Sequence, residues 1–110
     1  MKLPEEGTLV RIFIGEGDRW KGRPLYEQIV LKARELNMAG ATVTRGVLGF
    51  GADSRLHAEK ILRLSEDLPM IIEIVDKQER IDLIMPFLDE AVTEGLITME
   101  PVRVVKYRHS

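Results

Sequence analysis

The sequence contains no cysteine, which excludes disulfide bonds, thiolate catalysis and zinc–thiolate sites. Its two histidines, His57 and His109, lie far apart in the sequence, and a lone histidine with distant carboxylates does not make a metal site. No serine lies in a nucleophile-elbow pattern. These absences leave no catalytic constellation and no firmly predicted metal, so we predict that the protein is not an enzyme.

Long apolar runs are also absent, since none approaches the roughly 18–20 residues that a membrane-spanning helix needs. Residues Met1 to Gly7 lack the apolar core of a signal peptide, so the expected location is cytoplasmic. The net charge of −2 supplies no general attraction to nucleic acid or to anionic membranes. With 45% hydrophobic and 31% charged residues, the chain has an ordinary globular composition, and we expect residues 1–110 to form one domain.

The first half of the chain predicts a strand, a helix and a second strand. Alternating apolar residues mark the strand Thr8–Gly15, and a polar loop, Glu16–Arg23, follows it. Apolar positions at helical spacing come next, with Pro24 as a favoured first residue and Gly40 as a left-handed stop. The β-branched segment Ala41–Gly49 predicts the second strand.

The second half predicts a short helix, then a strand, a helix and a last strand. The short helix is expected within His57–Glu66, and the strand Met70–Val75 is largely apolar. Asp76 and Glu79 then have the spacing of a capping box, which predicts the start of the second long helix. The last strand is expected over Leu96–Tyr107.

This order, β-α-β-β-α-β, predicts an α+β fold of the ferredoxin-like kind. Such a fold has a four-stranded antiparallel sheet with two helices on one face, here with a short extra helix between the middle strands. The run Met70-Ile71-Ile72 is apolar on both sides of its strand. We therefore expect other subunits to cover the second face of the sheet.

Two parts of the sequence are candidates for binding a phosphate. Gly49 and Gly51 flank Phe50, and closely spaced glycines let backbone N–H groups converge on an anion; the alternative is a tight turn after the strand. Lys106 and Arg108 stand two apart in the last strand, so they share one of its faces and suit a common ligand. The alternative for this basic tail is a solvated terminus, which we prefer for His109.

Trp20, next to Arg19, is a candidate for stacking on a base, with the neighbouring cations meeting phosphate. The alternative is a tryptophan buried by the neighbouring subunit. Asp53 has two interpretations as well. In the first, Asp53 has a binding role, accepting hydrogen bonds from ribose hydroxyls or orienting Arg55. In the second, it simply caps the helix that follows.

Three segments resemble the PII signalling proteins and, more closely, small uncharacterised PII-like proteins of bacteria and archaea. They are Gly40-Ala41-Thr42-Val43-Thr44 with Gly49-Phe50-Gly51, then Ile72-Glu73-Ile74-Val75, and finally Val102-Arg103-Val104-Val105-Lys106-Tyr107-Arg108. The closer family also shows the helix start Pro24-Leu25-Tyr26 and the loop Gly51-Ala52-Asp53-Ser54-Arg55.

The resemblance implies a homotrimer with an adenine nucleotide, ADP, AMP or ATP, in each cleft between subunits. It implies binding residues in the glycine loop and the final strand. Carried over residue by residue, they are Gly49, Phe50, Gly51 and Asp53 in the glycine loop, residues 49–54, and Lys106 and Arg108 in the strand. We predict that Ala52 and Ser54 of the same loop also bind the nucleotide. It also implies a regulated partner protein, such as a membrane transporter.

Two departures from the PII pattern limit what the resemblance implies. The turn Thr93-Glu94-Gly95-Leu96 carries no lysine for a triphosphate, so ADP or AMP is favoured over ATP. The segment Leu56–Asp67 replaces the long loop of PII and has no tyrosine to modify. The alternatives are a trimeric ferredoxin-like assembly or divalent-cation-binding module without nucleotide, and a small hydrolase acting on nucleotides at the same cleft.

Overall fold

The computed structural model describes residues 6–50 and 67–108. Within these ranges the chain forms six strands and two helices. In chain order they are β1 (Glu6–Gly15), β2 (Arg19–Trp20), β3 (Arg23–Pro24), α1 (Leu25–Glu35), β4 (Thr42–Arg45), β5 (Pro69–Asp76), α2 (Gln78–Ala91) and β6 (Leu96–Arg103). The predicted short helix within His57–Glu66 lies outside the described residues.

The main sheet has four strands in the order β4-β5-β1-β6, and every neighbouring pair is antiparallel. Its longest strand, β1, lies in the middle, because Ile12 pairs with Ile72 of β5 on one side and with Ile97 of β6 on the other. This topology confirms the predicted α+β, ferredoxin-like arrangement.

The core lies between one face of the sheet and the two helices. Alternate residues of β1 and β5 are buried on this face, as the strand periodicity predicts. They pack with the apolar stripes of α1 and α2 into one cluster, whose fully buried members are Val10, Ile12, Ile29, Ile72, Ile74, Ile81, Ile84 and Leu88. Both described helices therefore cover the same face of the sheet, and neither of them covers the opposite face, here called the open face.

A short hairpin occupies the segment that the sequence predicted to be a polar loop. Trp20 pairs with Arg23, so only Lys21 and Gly22 form the turn. Both turn residues have positive φ, 50° and 79°, which is the conformation of a type I′ turn. This hairpin of β2 and β3 leads directly into α1.

Several predicted boundaries are wrong. Helix α1 ends at Glu35, and Asn37 rather than Gly40 has the positive φ, 56°, that follows it. Strand β4 ends at Arg45, four residues before Gly49. Strand β6 ends at Arg103, so Lys106 and Arg108 lie beyond it and do not share a strand face.

The predicted capping box is also wrong. The residue that precedes α2 is Lys77, and no side chain caps the helix by a hydrogen bond. The Asp76 carboxylate is engaged elsewhere, since it accepts from Lys77 N–H at 2.8 Å and from Ala39 N–H at 2.9 Å.

The antiparallel strands define two ends of the molecule. The end of β1 at Gly15, the start of β5 at Pro69 and the start of β6 at Leu96 lie at one end, here called the loop end. Glu6, Asp76 and Arg103 lie at the opposite end, here called the tail end. Neither of the described helices is long and apolar enough to cross a membrane.

Candidate functional site

Gly46 and Gly49, before and at the start of the glycine loop, pack closely against Pro69 at the loop end. Gly46 donates its N–H to the Pro69 carbonyl oxygen at 2.7 Å, and a Cβ on Gly46 would lie only 2.6 Å from Pro69 Cγ. A Cβ on Gly49 would lie 3.1 Å from the same atom. Close packing therefore explains why Gly46 and Gly49 are glycine. The anion-binding role of the loop stays a prediction, because Gly51, Ala52, Asp53 and Ser54 lie outside the described residues.

Residues 47–50, where the described part of this segment ends, expose apolar side chains. Phe50 is 68% exposed, and Val47 and Leu48 are exposed as well. Large apolar side chains close together on a surface are typical of a place where another molecule packs. Phe50 is therefore available to a ligand or to a neighbouring chain.

Polar contacts connect the described segments that meet at the loop end. Glu16 accepts from the Arg45 guanidinium, and its N–H donates to the Leu68 carbonyl oxygen at 2.8 Å. Gly17 donates its N–H to Asp67 Oδ1 at 3.1 Å. The connection after β1 is thereby fixed to the residues on either side of the glycine loop.

Trp20 packs within its own chain. Its ring meets the Phe87 ring of α2 edge-on, with 5.8 Å between centroids, and Lys21 Nζ lies 5.3 Å from its centroid. Trp20 is half-buried against the core cluster, whereas Arg19 is exposed. No sequence pattern pointed to Phe87, because that residue stands beside the buried stripe of α2. Both predicted roles of Trp20, base stacking and burial by a neighbour, stay predictions.

The basic tail lies at the tail end of the sheet. Lys106 and Arg108 are exposed, and Tyr107 between them is half-buried and donates to the Ala39 carbonyl oxygen at 3.0 Å. Ala39 belongs to a hydrogen-bond network with Asp76 that carries no sequence signal. Its residues share neither a strand nor a helix face with the tail, so no periodicity links them.

The described candidate binding residues fall into two groups, one at the loop end and one at the tail end of the molecule. Arg19, Trp20, Gly49 and Phe50 lie at the loop end, whereas Lys106 and Arg108 follow β6 at the tail end. The two ends are separated by the length of β1, ten residues, or roughly 30 Å at the rise of an extended strand. A single ligand therefore meets both groups only if two chains supply them.

The open face of the sheet is apolar with a charged cluster at its centre. Leu9, Phe13, Ile71, Val75 and Leu96 belong to this face by strand alternation. Leu96 is 56% exposed, whereas Leu9 is already buried in the single chain, at 8%. Among them Arg11 pairs with Glu73 at 2.8 Å and with Glu100 at 3.5 Å. In the described part of the chain, no group of three histidine, cysteine or acidic residues is arranged to hold a metal ion.

Solved structures with a similar fold include CPII, a nitrogen regulatory PII-like protein from Thiomonas intermedia. In each of two CPII structures the match covers 92% of this chain and 90% of the CPII chain, with a TM-score of 0.60. The sequence identities are 14% and 15%. One was bound to ADP and bicarbonate, the other to ADP, AMP and bicarbonate. A functionally unknown protein from Pediococcus pentosaceus matches 97% of this chain and 100% of its own, with a TM-score of 0.57 and 12% identity. These likenesses show a PII-like fold.

Relatives at higher identity are proteins named UPF0166. One from Aquifex aeolicus is 36% identical over 99 residues, covering 88% of this chain and 91% of the relative. One from Methanocaldococcus jannaschii is 35% identical over 102 residues, which cover 92% of this chain and 94% of the relative. The DUF190 family model, described as "Uncharacterized ACR", matches residues 7–104. The chain therefore belongs to the DUF190 (UPF0166) family.

Proposed function

We propose that this chain is a PII-like regulatory protein that binds an adenine nucleotide between the subunits of a homotrimer. The observation that carries the proposal is the fold, which matches that of the ADP-bound CPII structures over 92% of the chain. Regulation, rather than catalysis, is the proposed role, and a membrane transporter or another regulated protein is the proposed partner.

The placement of the candidate residues supports a site made by two chains. Gly49 and Phe50 lie at the loop end and the basic tail lies at the tail end, so they meet only when the loop end of one copy faces the tail end of the next. Such a head-to-tail contact closes into a ring when the rotation between copies allows it. A ring of three would then have three equivalent clefts.

The open face of the sheet supports assembly as well. Neither described helix packs on it, and its apolar side chains include Leu96, which is 56% exposed, and the partly exposed Phe13, Ile71 and Val75. Burying apolar surface contributes roughly 25 cal/mol per Å², so a second and third copy packed on this face would stabilise one another. The Arg11 cluster at the centre of the face would then lie inside the assembly.

The connection between α2 and β6 supports ADP or AMP as the ligand rather than ATP. Its residues Thr93, Glu94 and Gly95 include an acid and no base. Gly95 packs tightly, since a Cβ there would lie 2.6 Å from the Phe13 carbonyl oxygen. Because Glu94 has no basic residue beside it in this connection, its negative charge would repel a third phosphate bound nearby.

A second candidate function is an assembly module without nucleotide. It is favoured by the packing of Gly49 on Pro69 and of Trp20 on Phe87. These contacts give Gly49 and Trp20 a structural role that needs no ligand. A module of this kind would keep the trimer and lose the nucleotide.

Calorimetric titration of nucleotide-free protein with AMP, ADP, ATP and cyclic AMP tests the proposal. We expect saturable binding of ADP or AMP close to one per chain, and weaker binding of ATP. The double variant Lys106→Ala, Arg108→Ala should weaken ADP binding by roughly 10-fold or more, as expected for lost hydrogen bonds to charged groups. The control Arg34→Ala removes an exposed cation from α1 and should leave binding unchanged. Absence of heat with every nucleotide would favour the assembly module.

A further inference from the structure

The tail, residues 104–108, is fastened to the molecule although it belongs to no strand. Tyr107 donates its hydroxyl to the Ala39 carbonyl oxygen at 3.0 Å. Ala39 also donates its N–H to Asp76 Oδ2 at 2.9 Å. Both backbone groups of Ala39 are therefore engaged, one by the tail and the other by the end of β5.

The segment to which Tyr107 is attached is itself well fixed. Asp76 is fully buried, and its second oxygen accepts from Lys77 N–H at 2.8 Å. Arg80 of α2 donates to the Leu36 carbonyl oxygen and, at 3.0 Å, to that of Asn37. The connection between α1 and β4 is thus held by two neighbouring elements and gives the tail a firm anchor.

The tail has a second point of attachment close to β6. A Cβ on Gly7 would lie 3.3 Å from Val104 Cγ2 and 3.2 Å from the Asp76 carbonyl oxygen. The glycine at position 7 therefore leaves room for Val104 to lie over the start of β1. Val104 and Tyr107 together hold the tail across the tail end of the sheet.

The anchored tyrosine determines which tail side chains face outward. Tyr107 is half-buried, whereas Lys106 and Arg108 on either side of it are exposed. Because the central side chain is turned toward Ala39, the two cations are kept on the outer surface. Strand pairing does not fix them, since β6 ends at Arg103.

We infer that Tyr107 is a positioning residue for nucleotide binding. Its hydrogen bond to Ala39 holds Lys106 and Arg108 where they meet the phosphates of a nucleotide that the neighbouring copy binds. This inference rests on the proposed function. If the anchor is lost, the fraction of tails in the competent position falls, and the apparent Kd rises by the same factor.

The variant Tyr107→Phe tests the inference, because it removes the hydroxyl and keeps the ring. We expect ADP to bind roughly 2- to 12-fold more weakly, the factor that one neutral hydrogen bond supplies. The control Tyr26→Phe makes the same chemical change on α1 and should bind ADP like the wild type. In an Arg108→Ala background the effect of Tyr107→Phe should shrink, because the tail then has less to position. A purely structural role would leave the effect unchanged.

Amide hydrogen exchange on nucleotide-free protein separates this inference from the proposed function. We expect faster exchange in residues 104–108 of Tyr107→Phe and no change in Tyr26→Phe. If exchange is faster but ADP affinity equals that of the wild type, the positioning role is wrong while nucleotide binding stands. If exchange does not change, the anchor itself is wrong. If the wild type binds no nucleotide, both the proposed function and the positioning role fail.

Discussion

Asp76 shows how a single buried carboxylate can hold two parts of the chain together. It is fully buried at the end of β5, and its oxygens accept N–H groups from Ala39 and Lys77. A buried charge is tolerated only where hydrogen bonds replace the lost water. The sequence suggested a helix cap at this position, because Asp76 and Glu79 have the right spacing. Spacing alone does not reveal a competing donor 37 residues earlier in the chain.

Replacing Asp76 by alanine should therefore destabilise the protein. The change leaves two buried or half-buried N–H groups without their acceptor, at about 1–3 kcal/mol each. We expect a loss of roughly 2–6 kcal/mol in the free energy of unfolding, measured by urea denaturation. The control Asp89→Ala, at an exposed position of α2, should change it by less than about 0.5 kcal/mol. Equal effects of the two substitutions would contradict this role of Asp76.

Gly95 is a second residue whose identity the packing dictates. Its φ of 152° is one that other residues rarely adopt, and a Cβ would meet the Phe13 carbonyl oxygen at 2.6 Å. Gly95→Ala should lower the free energy of unfolding by roughly 1–3 kcal/mol. Gly40→Ala is the matched control, since nothing lies within 4 Å of a Cβ there. It should be neutral or slightly stabilising, and a loss as large as that of Gly95→Ala would refute the steric argument.

At the scale of elements, strands and helices with strong periodicity were predictable and their ends were not. The alternation in β1 and the apolar stripe of α1 identify both elements. The end of β6 was not visible, because the β-branched Val104 and Val105 read like a continuing strand. In the structure the last residue of β6 is Arg103, which pairs with Glu6 of β1, and residues 104–108 lie in no strand.

The hairpin of β2 and β3 was missed for a related reason. Its two-residue turn is Lys21-Gly22, whereas the usual sequence signal for a type I′ turn is Asn-Gly or Asp-Gly. Its strands are only two residues long, too short to show a period. The contact between Trp20 and Phe87, which fastens the hairpin to α2, has no sequence signal at all.

This contact predicts a measurable role for Phe87. Phe87→Ala should destabilise the protein by about 3 kcal/mol and shift the fluorescence of Trp20, the only tryptophan, to longer wavelength. Phe50→Ala, at a position that is 68% exposed, should change neither stability nor emission in nucleotide-free protein. Unchanged emission in Phe87→Ala would mean that the hairpin is held by other contacts.

At the scale of the whole molecule, the sheet has one covered and one open face. The sequence predicted this arrangement from the element order and from apolar residues on both sides of β5. It did not predict that the candidate binding residues separate into two groups about the length of β1 apart. That separation depends on strand direction and register, which bring together residues far apart in the sequence.

Substitutions on the two faces should affect assembly differently. Leu96 on the open face and Leu31 on the outer side of α1 are each 56% exposed in the single chain. Leu96→Glu should dissociate the proposed trimer, because it would bury a charge in the interface, whereas Leu31→Glu should leave it intact. Light scattering coupled to gel filtration measures the mass. Dissociation by Leu31→Glu alone would place the interface on the helical side.

The most direct test of a site shared between chains is complementation between two defective variants. One variant carries Gly51→Asp in the predicted glycine loop, and the other carries Lys106→Ala with Arg108→Ala. Each alone should bind ADP weakly in calorimetry. When the two are co-assembled, some interfaces combine an intact loop with an intact tail, and ADP binding of wild-type affinity should reappear at those sites. If mixed assemblies form but no tight site returns, the nucleotide is not bound between the loop of one chain and the tail of another.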